Sequence, residues 1–291
     1  MHPRKQVQMS TVVSLINMKG GVGKTTLAFN FAWYAAWRRD MNVLAIDLDP
    51  QANLSQYLLG ADGYLGHLAQ KRGTVVDIFG RFCKPGTESA LAGGLNPAEV
   101  ILRVRDWGQR GCIYLVASKL ELAMQMMTRS IRAVHLAGFL DSLVDHYDLI
   151  IIDCPPTESI LTRAAYRASQ YVIVPVRPQF LATIGLPLLA RSLGDYRLQH
   201  PHHDVRLAGI VFNGGRRENG PPDQYQAYRE VSAVAGKYGW PLFANEAYHS
   251  DSYVAGSRSA LPIFHTNYAR DYVVNEFNKV GEEFLEKVGL A

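Results

Sequence analysis

The sequence predicts an α/β protein in which a mostly parallel, twisted sheet is flanked by helices in three layers. Three observations carry that expectation. Apolar runs of strand length alternate with stretches of helical periodicity along the whole chain. The runs DLIIID (148–153) and YVIVP (171–175) are apolar on both faces, as strands covered by helices on both sides must be. The first run passes through a glycine-rich turn directly into a helical pattern, which is the connection that a parallel sheet repeats.

Taken in order, TVVSLINM (11–18) is the first predicted strand, and its β-branched residues suit a pleated surface. A helix follows from 24 to about 39. NVLAID (42–47) and CIYLV (112–116) are the next strands, with a helix expected over 120–146. Strands at 148–153, 171–175 and 205–212 are separated by a helix at 182–199, and helices close the chain at 222–238 and 268–288. The least regular stretch, 84–110, reads as an elaborated surface loop, because no second core flanks it. With residues 1–10 as a tail, the sequence predicts one domain over 1–291.

Composition narrows the class. With 48% hydrophobic and 19% charged residues among 291, the chain can bury a sizeable core and is not of disordered type. The three cysteines, Cys83, Cys112 and Cys154, are far apart and form no CxxC, which argues against a disulfide framework and for a reducing, cytoplasmic setting. The N-terminus lacks the apolar segment of a signal peptide, and no apolar run reaches the ~18 residues of a membrane span.

The glycine-rich turn is Lys19-Gly20-Gly21-Val22-Gly23-Lys24-Thr25-Thr26. Strand, glycine turn and helix N-terminus together are the context of a P-loop, so the expected architecture is that of a P-loop NTPase. Glycines let the backbone turn its N–H groups towards phosphate oxygens, and the helix end adds partial positive charge. Lys24 can reach the β- and γ-phosphates, Thr25 can ligate Mg²⁺, and Thr26 can touch the α-phosphate. The general pattern places glycine where this chain has Met18, and a second lysine, Lys19, opens the loop. Asp153 ends a very apolar strand, where a carboxylate holds Mg²⁺ through water. Asp47 and Asp49 end another, and alternation puts both on one face. A carboxylate there can orient or deprotonate the attacking water, and Asp47 is also a candidate metal ligand.

These residues together resemble the ParA/MinD family of deviant Walker-A ATPases. KGGVGKTT is similar to that family's signature, with Lys19 at the position of its signature lysine. Asp47-Leu48-Asp49-Pro50-Gln51 resembles the DxDPQ element of the ParA (Soj-like) branch. Further likenesses are TVVDIF (74–79), LVASKLEL (115–122), YDLIIIDCPP (147–156), VIVPVRPQFLATIGL (172–186) and GIVFNGGRR (209–217). The resemblance implies an ATPase that uses ATP and Mg²⁺, with Lys19 reaching phosphate across an ATP-dependent homodimer and Asn213 contacting adenine. Gly20, Gly21, Val22 and Gly23 would line the nucleotide with Lys24, Thr25 and Thr26. Thr157-Glu158-Ser159 departs from the family's usual glycine-containing segment, and Arg177 stands where a neutral polar residue is common. With about ten residues before the first strand, the resemblance implies a member without the operator-reading helix-turn-helix domain of the larger partition ATPases.

Charge is unevenly placed. Residues 159–217 carry eight arginines and two acids, an excess of six, whereas the whole chain is +4 and residues 218–291 carry six basic and ten acidic residues. Arginine's planar fork suits phosphate, and the resemblance implies sequence-independent binding of duplex DNA by the dimer. Arg191, Arg197, Arg216 and Arg217 are the candidates. The histidines of HPHH (200–203) read as a polar loop rather than a metal site. The segment 270–288 is amphipathic but acidic, unlike a membrane-binding helix, which is basic. The expected function is a nucleoid-associated switch in plasmid or chromosome partition, released by a ParB-like partner. The alternatives are positioning of a protein cluster on the nucleoid, or a MinD-like membrane-associated regulator.

Overall fold

The computed structural model describes residues 10–81, 95–108, 110–127, 132–143, 145–179, 185–215 and 221–291. Strand β1 (Thr11–Leu15) leads into α1 (Lys24–Arg38), then β2 (Asn42–Asp47). Helices α2 (Asn53–Leu59), α3 (Ala61–Ala69), α4 (Val75–Arg81) and α5 (Pro97–Val100) precede β3 (Ile101–Asp106) and β4 (Cys112–Val116). Then come α6 (Glu121–Met127), α7 (Ala133–Asp141), β5 (Leu149–Asp153), α8 (Ile160–Ala168) and β6 (Tyr171–Val176). The chain closes with α9 (Gly185–Gln199), β7 (Arg206–Gly215), α10 (Pro222–Tyr238), β8 (Ala247–Tyr248), α11 (Ser252–Arg258) and α12 (Asp271–Lys287).

These strands form one eight-stranded sheet in the order β3-β4-β2-β5-β1-β6-β7-β8. β3 runs antiparallel to β4, and the other pairings are parallel. Strand alternation sends each central strand into two cores. Ile150 and Ile152 face one side, with Phe139 of α7, Ala165 of α8 and Leu189 of α9. Leu149 and Ile151 face the other, with Phe31 of α1 and Phe284 of α12. The three-layer α/β prediction therefore holds. α12 is spent on the core: Phe284 stacks on Phe31 with ring centroids 4.2 Å apart, and Val273, Phe277 and Val280 are buried. Among the described residues no helix is long and apolar enough to cross a membrane.

The structure corrects two element predictions. The helix expected over 120–146 is two helices, α6 and α7, because Arg132 before α7 is extended at φ −115° and ψ 125°; residues 128–131 and 144 lie outside the described residues. The stretch 84–110 is not simply a loop. Asn96 caps α5 through the Ala98 N–H at 3.0 Å, with Glu99 returning to the Asn96 N–H at 3.1 Å, and 101–106 add an edge strand. Its outward residues include Arg103, an exposed charge of the kind that edge strands carry, which hides the strand in an apolarity pattern. Residues 82–94 and 109 lie outside the described residues. β1 also ends at Leu15 rather than 18, since Asn17 leaves the ladder.

Candidate functional site

The chemistry-bearing residues meet at the C-terminal edge of the sheet, where β1, β2 and β5 end side by side. Register pairs Leu15 with Asp153 and Asp47 with Asp153. Between β1 and α1 the chain turns through Gly21 at φ 72° and Gly23 at φ 93°, backbone states that side chains disfavour. A Cβ on Gly23 would also lie 1.9 Å from Asn213 Nδ2, so the amide that holds the loop would have to shift. α1 opens at Lys24 with no acidic residue in its first turn, so no carboxylate of its own neutralises the positive helix end. The loop is tied down at both sides. Asn17 Nδ2 donates to the Pro175 carbonyl at 2.7 Å, and Asn17 Oδ1 accepts the Lys19 N–H at 2.9 Å. Asn213 Nδ2 donates to the Val22 carbonyl at 2.9 Å.

A cleft of about 610 Å³ lies over this loop, lined by Gly20, Gly21, Gly23, Lys24, Thr25, Thr26 and Asp49 and walled by Tyr57, Met126 and Pro156. Lys24 is 6% exposed. Its Nζ donates to the carbonyls of Asn17 and Lys19 at 3.2 and 3.3 Å. Burial lowers its pKa, against the opposing pull of Asp153, Cys154 and Asp49. Thr25 Oγ1 donates to Asp153 Oδ2 at 2.6 Å. Asp153 Oδ1 is buried with no hydrogen-bond partner among the described residues, and burial, reinforced by Asp47, holds this carboxyl well above the usual carboxylate range. A carboxylate oxygen without a donor, next to a hydroxyl, is the oxygen-rich setting of a small divalent cation. Thr25 and Asp153 thus fit Mg²⁺. The glycine turn and Lys24 fit phosphate.

Asp49 lines the cleft and accepts the Gln51 N–H at 2.9 Å on Oδ1. Asp47, by contrast, does not line the cleft, and the expectation that strand alternation sets both carboxylates on one face is corrected. β2 ends at Asp47, and the next residues turn rather than alternate. Asp47 is wholly buried, accepts the Asp49 N–H at 3.1 Å on Oδ1, and accepts both the Ser55 N–H and Oγ–H on Oδ2 at 2.8 and 2.7 Å. Its pKa is pushed up to about 7 by burial, which those hydrogen bonds oppose. Its geometry is that of an anchor for the 49–55 turn, not of a cleft-facing base or ligand. Sequence reasoning singles out neither Ser55 nor Asn17. Asn17 is marked by standing as a lone polar residue just after the apolar first strand, whereas Ser55 lies in the first turn of α2 among other polar residues and carries no such signal.

Lys19 is half-buried and does not line its own cleft. Arg191 is an exposed arginine of α9, 83% exposed in its side chain, with Asp195 at 3.8 Å. Arg197 donates through Nε and Nη2 to the Val205 carbonyl at 3.1 and 2.7 Å, so the structure uses it to hold the connection into β7. Arg216 and Arg217 lie outside the described residues. Of the remaining arginines, Arg206 pairs with Asp204 at 2.6 Å and Arg163 approaches Glu158 at 3.9 Å. Among the described residues no group of three or more His, Cys, Asp or Glu is placed to hold a metal. In the HPHH segment, His203 Nε2 lies 2.9 Å from the Tyr166 carbonyl.

Comparison with known proteins places this site in a family. Residues 10–202 match the AAA_31 family, described as an AAA domain. The chain is 30% identical over 207 residues to the chromosome-partitioning ATPase Soj of Treponema pallidum, covering 70% of this chain and 71% of the relative. It is 33% identical over 205 residues to Soj of Thermus thermophilus, covering 68% and 67%. The fold resembles that of a Cyanothece McdA variant in complex with ATP, with a TM-score of 0.73, 19% identity and 97% of each chain covered. It also resembles a Borrelia burgdorferi putative plasmid partition protein bound to AMPPNP, with a TM-score of 0.70, 19% identity, and 96% and 99% covered. By loop, sheet order and sequence, the chain belongs to the ParA/MinD family of P-loop ATPases.

Proposed function

We propose that this ATPase is a Mg²⁺-dependent switch in partition: ATP binding joins two subunits, the dimer holds duplex DNA without regard to sequence, and a ParB-like partner stimulates hydrolysis and release. The observation that carries the reading is the meeting of Lys24, Thr25 and Asp49 around one cleft, with the buried Asp153 directly behind Thr25 and bonded to its hydroxyl. Lys24 exchanges two carbonyl contacts for terminal phosphate oxygens. Thr25 and Asp153 would hold Mg²⁺, which would supply positive charge to the phosphate oxygens. Asp49 orients the attacking water and accepts its proton, and Asp47 fixes the turn that presents Asp49. Lys19, free of its own cleft, serves the partner subunit's phosphates. Asn213 braces the loop near the nucleoside.

Asp49→Ala tests the catalytic assignment. ATP turnover is expected to fall by ~10²–10⁴, the range of a positioned general base, while ATP still binds. Phosphate release and size-exclusion with ATP and Mg²⁺ check this; the expected species is a long-lived dimer. Turnover at the wild-type rate would remove Asp49 from the mechanism.

DNA binding is the second test. Retention of ATP-loaded protein on random duplex should fall steeply with salt. If each subunit neutralises about two phosphates, the log–log slope is roughly −4 for a dimer. Arg191→Ala combined with Arg217→Ala should flatten the slope and weaken every sequence alike, leaving basal hydrolysis intact. Absence of retention at low salt with ATP would reject DNA as the partner.

A further inference from the structure

Arg177 follows β6 at the same sheet edge as the cleft, on the opposite side of β1 from Asp49 and Asp153. It is half-buried, and among the described residues its guanidinium has neither an ion pair nor a hydrogen bond. It rests on Gly214, which has φ +78°: a Cβ there would meet Arg177 Nε at 3.0 Å, Nη2 at 3.4 Å and Cζ at 3.6 Å. The guanidinium therefore occupies the space that a side chain at 214 would take. Gly214 adjoins Asn213, whose amide touches the phosphate loop at Val22 and Gly23.

This placement orients a bound nucleotide. Hydrolysis requires the terminal phosphate near Asp49 and the Thr25–Asp153 pair, on the β2 and β5 side of the loop. The nucleoside must then leave across Gly23, on the β6 and β7 side, where Arg177 and Asn213 stand. A guanidinium supported from below by backbone, with no carboxylate of the described residues holding it, offers a flat cationic surface to an aromatic ring. Lysine, a compact point charge, would not offer that surface.

We propose that Arg177 determines base selectivity by stacking its guanidinium on the purine of the nucleotide. The assignment rests on the nucleotide reading of the cleft. Stacking strength follows ring area, so purines gain more from this contact than pyrimidines. Phosphate-only ligands gain nothing.

The test is competition against a labelled ADP by ADP, CDP and inorganic triphosphate, for the wild type, Arg177→Ala and Arg177→Met. Methionine refills the space over Gly214 without a guanidinium and so separates packing from stacking. Both variants are expected to lose about tenfold in ADP affinity, to narrow the preference for ADP over CDP, and to keep the wild-type affinity for triphosphate. Wild-type ADP affinity in either variant would overturn the proposal, as would an equal loss for triphosphate, which would make Arg177 a phosphate contact. A loss in Arg177→Ala that Arg177→Met restores would also overturn it, leaving a packing role. Failure of the wild type itself to bind ADP would instead strike the nucleotide reading.

Discussion

Lys19→Ala is expected to lower ATP turnover by ~10³–10⁵, the effect of a cationic side chain supplied to a phosphoryl-transfer site. The reason is geometric. The backbone of Lys19 is held from both ends: its N–H donates to Asn17 Oδ1, and its carbonyl accepts Lys24 Nζ. Its side chain does not line the cleft of its own subunit. A lysine that does not line its own cleft suits the proposed role across the dimer interface. The mutant should keep nucleotide affinity as a monomer, measured by fluorescent nucleotide titration, and should fail to dimerise with ATP by light scattering. Normal dimerisation and turnover would reject a role in trans.

Lys24→Ala is expected to abolish useful nucleotide affinity. Removing one member of a buried charge pair costs roughly 3–5 kcal/mol, or about two to three and a half powers of ten in affinity. Without phosphate, Lys24 spends its ammonium on two backbone carbonyls while burial depresses its pKa. That is a poor resting place for a cation, and phosphate improves on it. The same reasoning separates binding from folding, because alanine relieves the burial of a charge. Thermal unfolding of the ligand-free mutant should match the wild type, while its nucleotide titration should be flat. Near-normal affinity would sink the phosphate-loop assignment.

The phosphate loop is legible in the sequence because its chemistry is local. Glycines at fixed spacing, one lysine and two threonines act within a single turn, and the strand before and helix after them are contiguous. Asp153 is legible for the same reason, standing at the end of the run LIIID. The place of Asp47 is not, because strand alternation stops at the end of β2 and does not extend to Asp49. The Asp49–Ala52 turn, closed by Ala52 N–H on the Asp49 carbonyl at 2.8 Å, sends Asp49 to the cleft and leaves Asp47 beneath. The role of Arg197 is hidden for another reason: composition counts charge without showing where it is spent, here on the Val205 carbonyl.

By itself, then, the amino-acid sequence determined the fold class, the alternation of strands with helices and the identity of the loop that meets phosphate, since hydrophobic periodicity and glycine chemistry are properties of neighbouring residues. Only the tertiary structure decided which carboxylate faces the cleft, that β3 closes the sheet's edge in antiparallel, that Asn17 and Asn213 clamp the loop, and that Arg177 stands beside it without a charged partner among the described residues. The two clamps join groups 158 and 191 positions apart in the chain. Such approaches are set by the order and register of parallel strands, which no local pattern encodes.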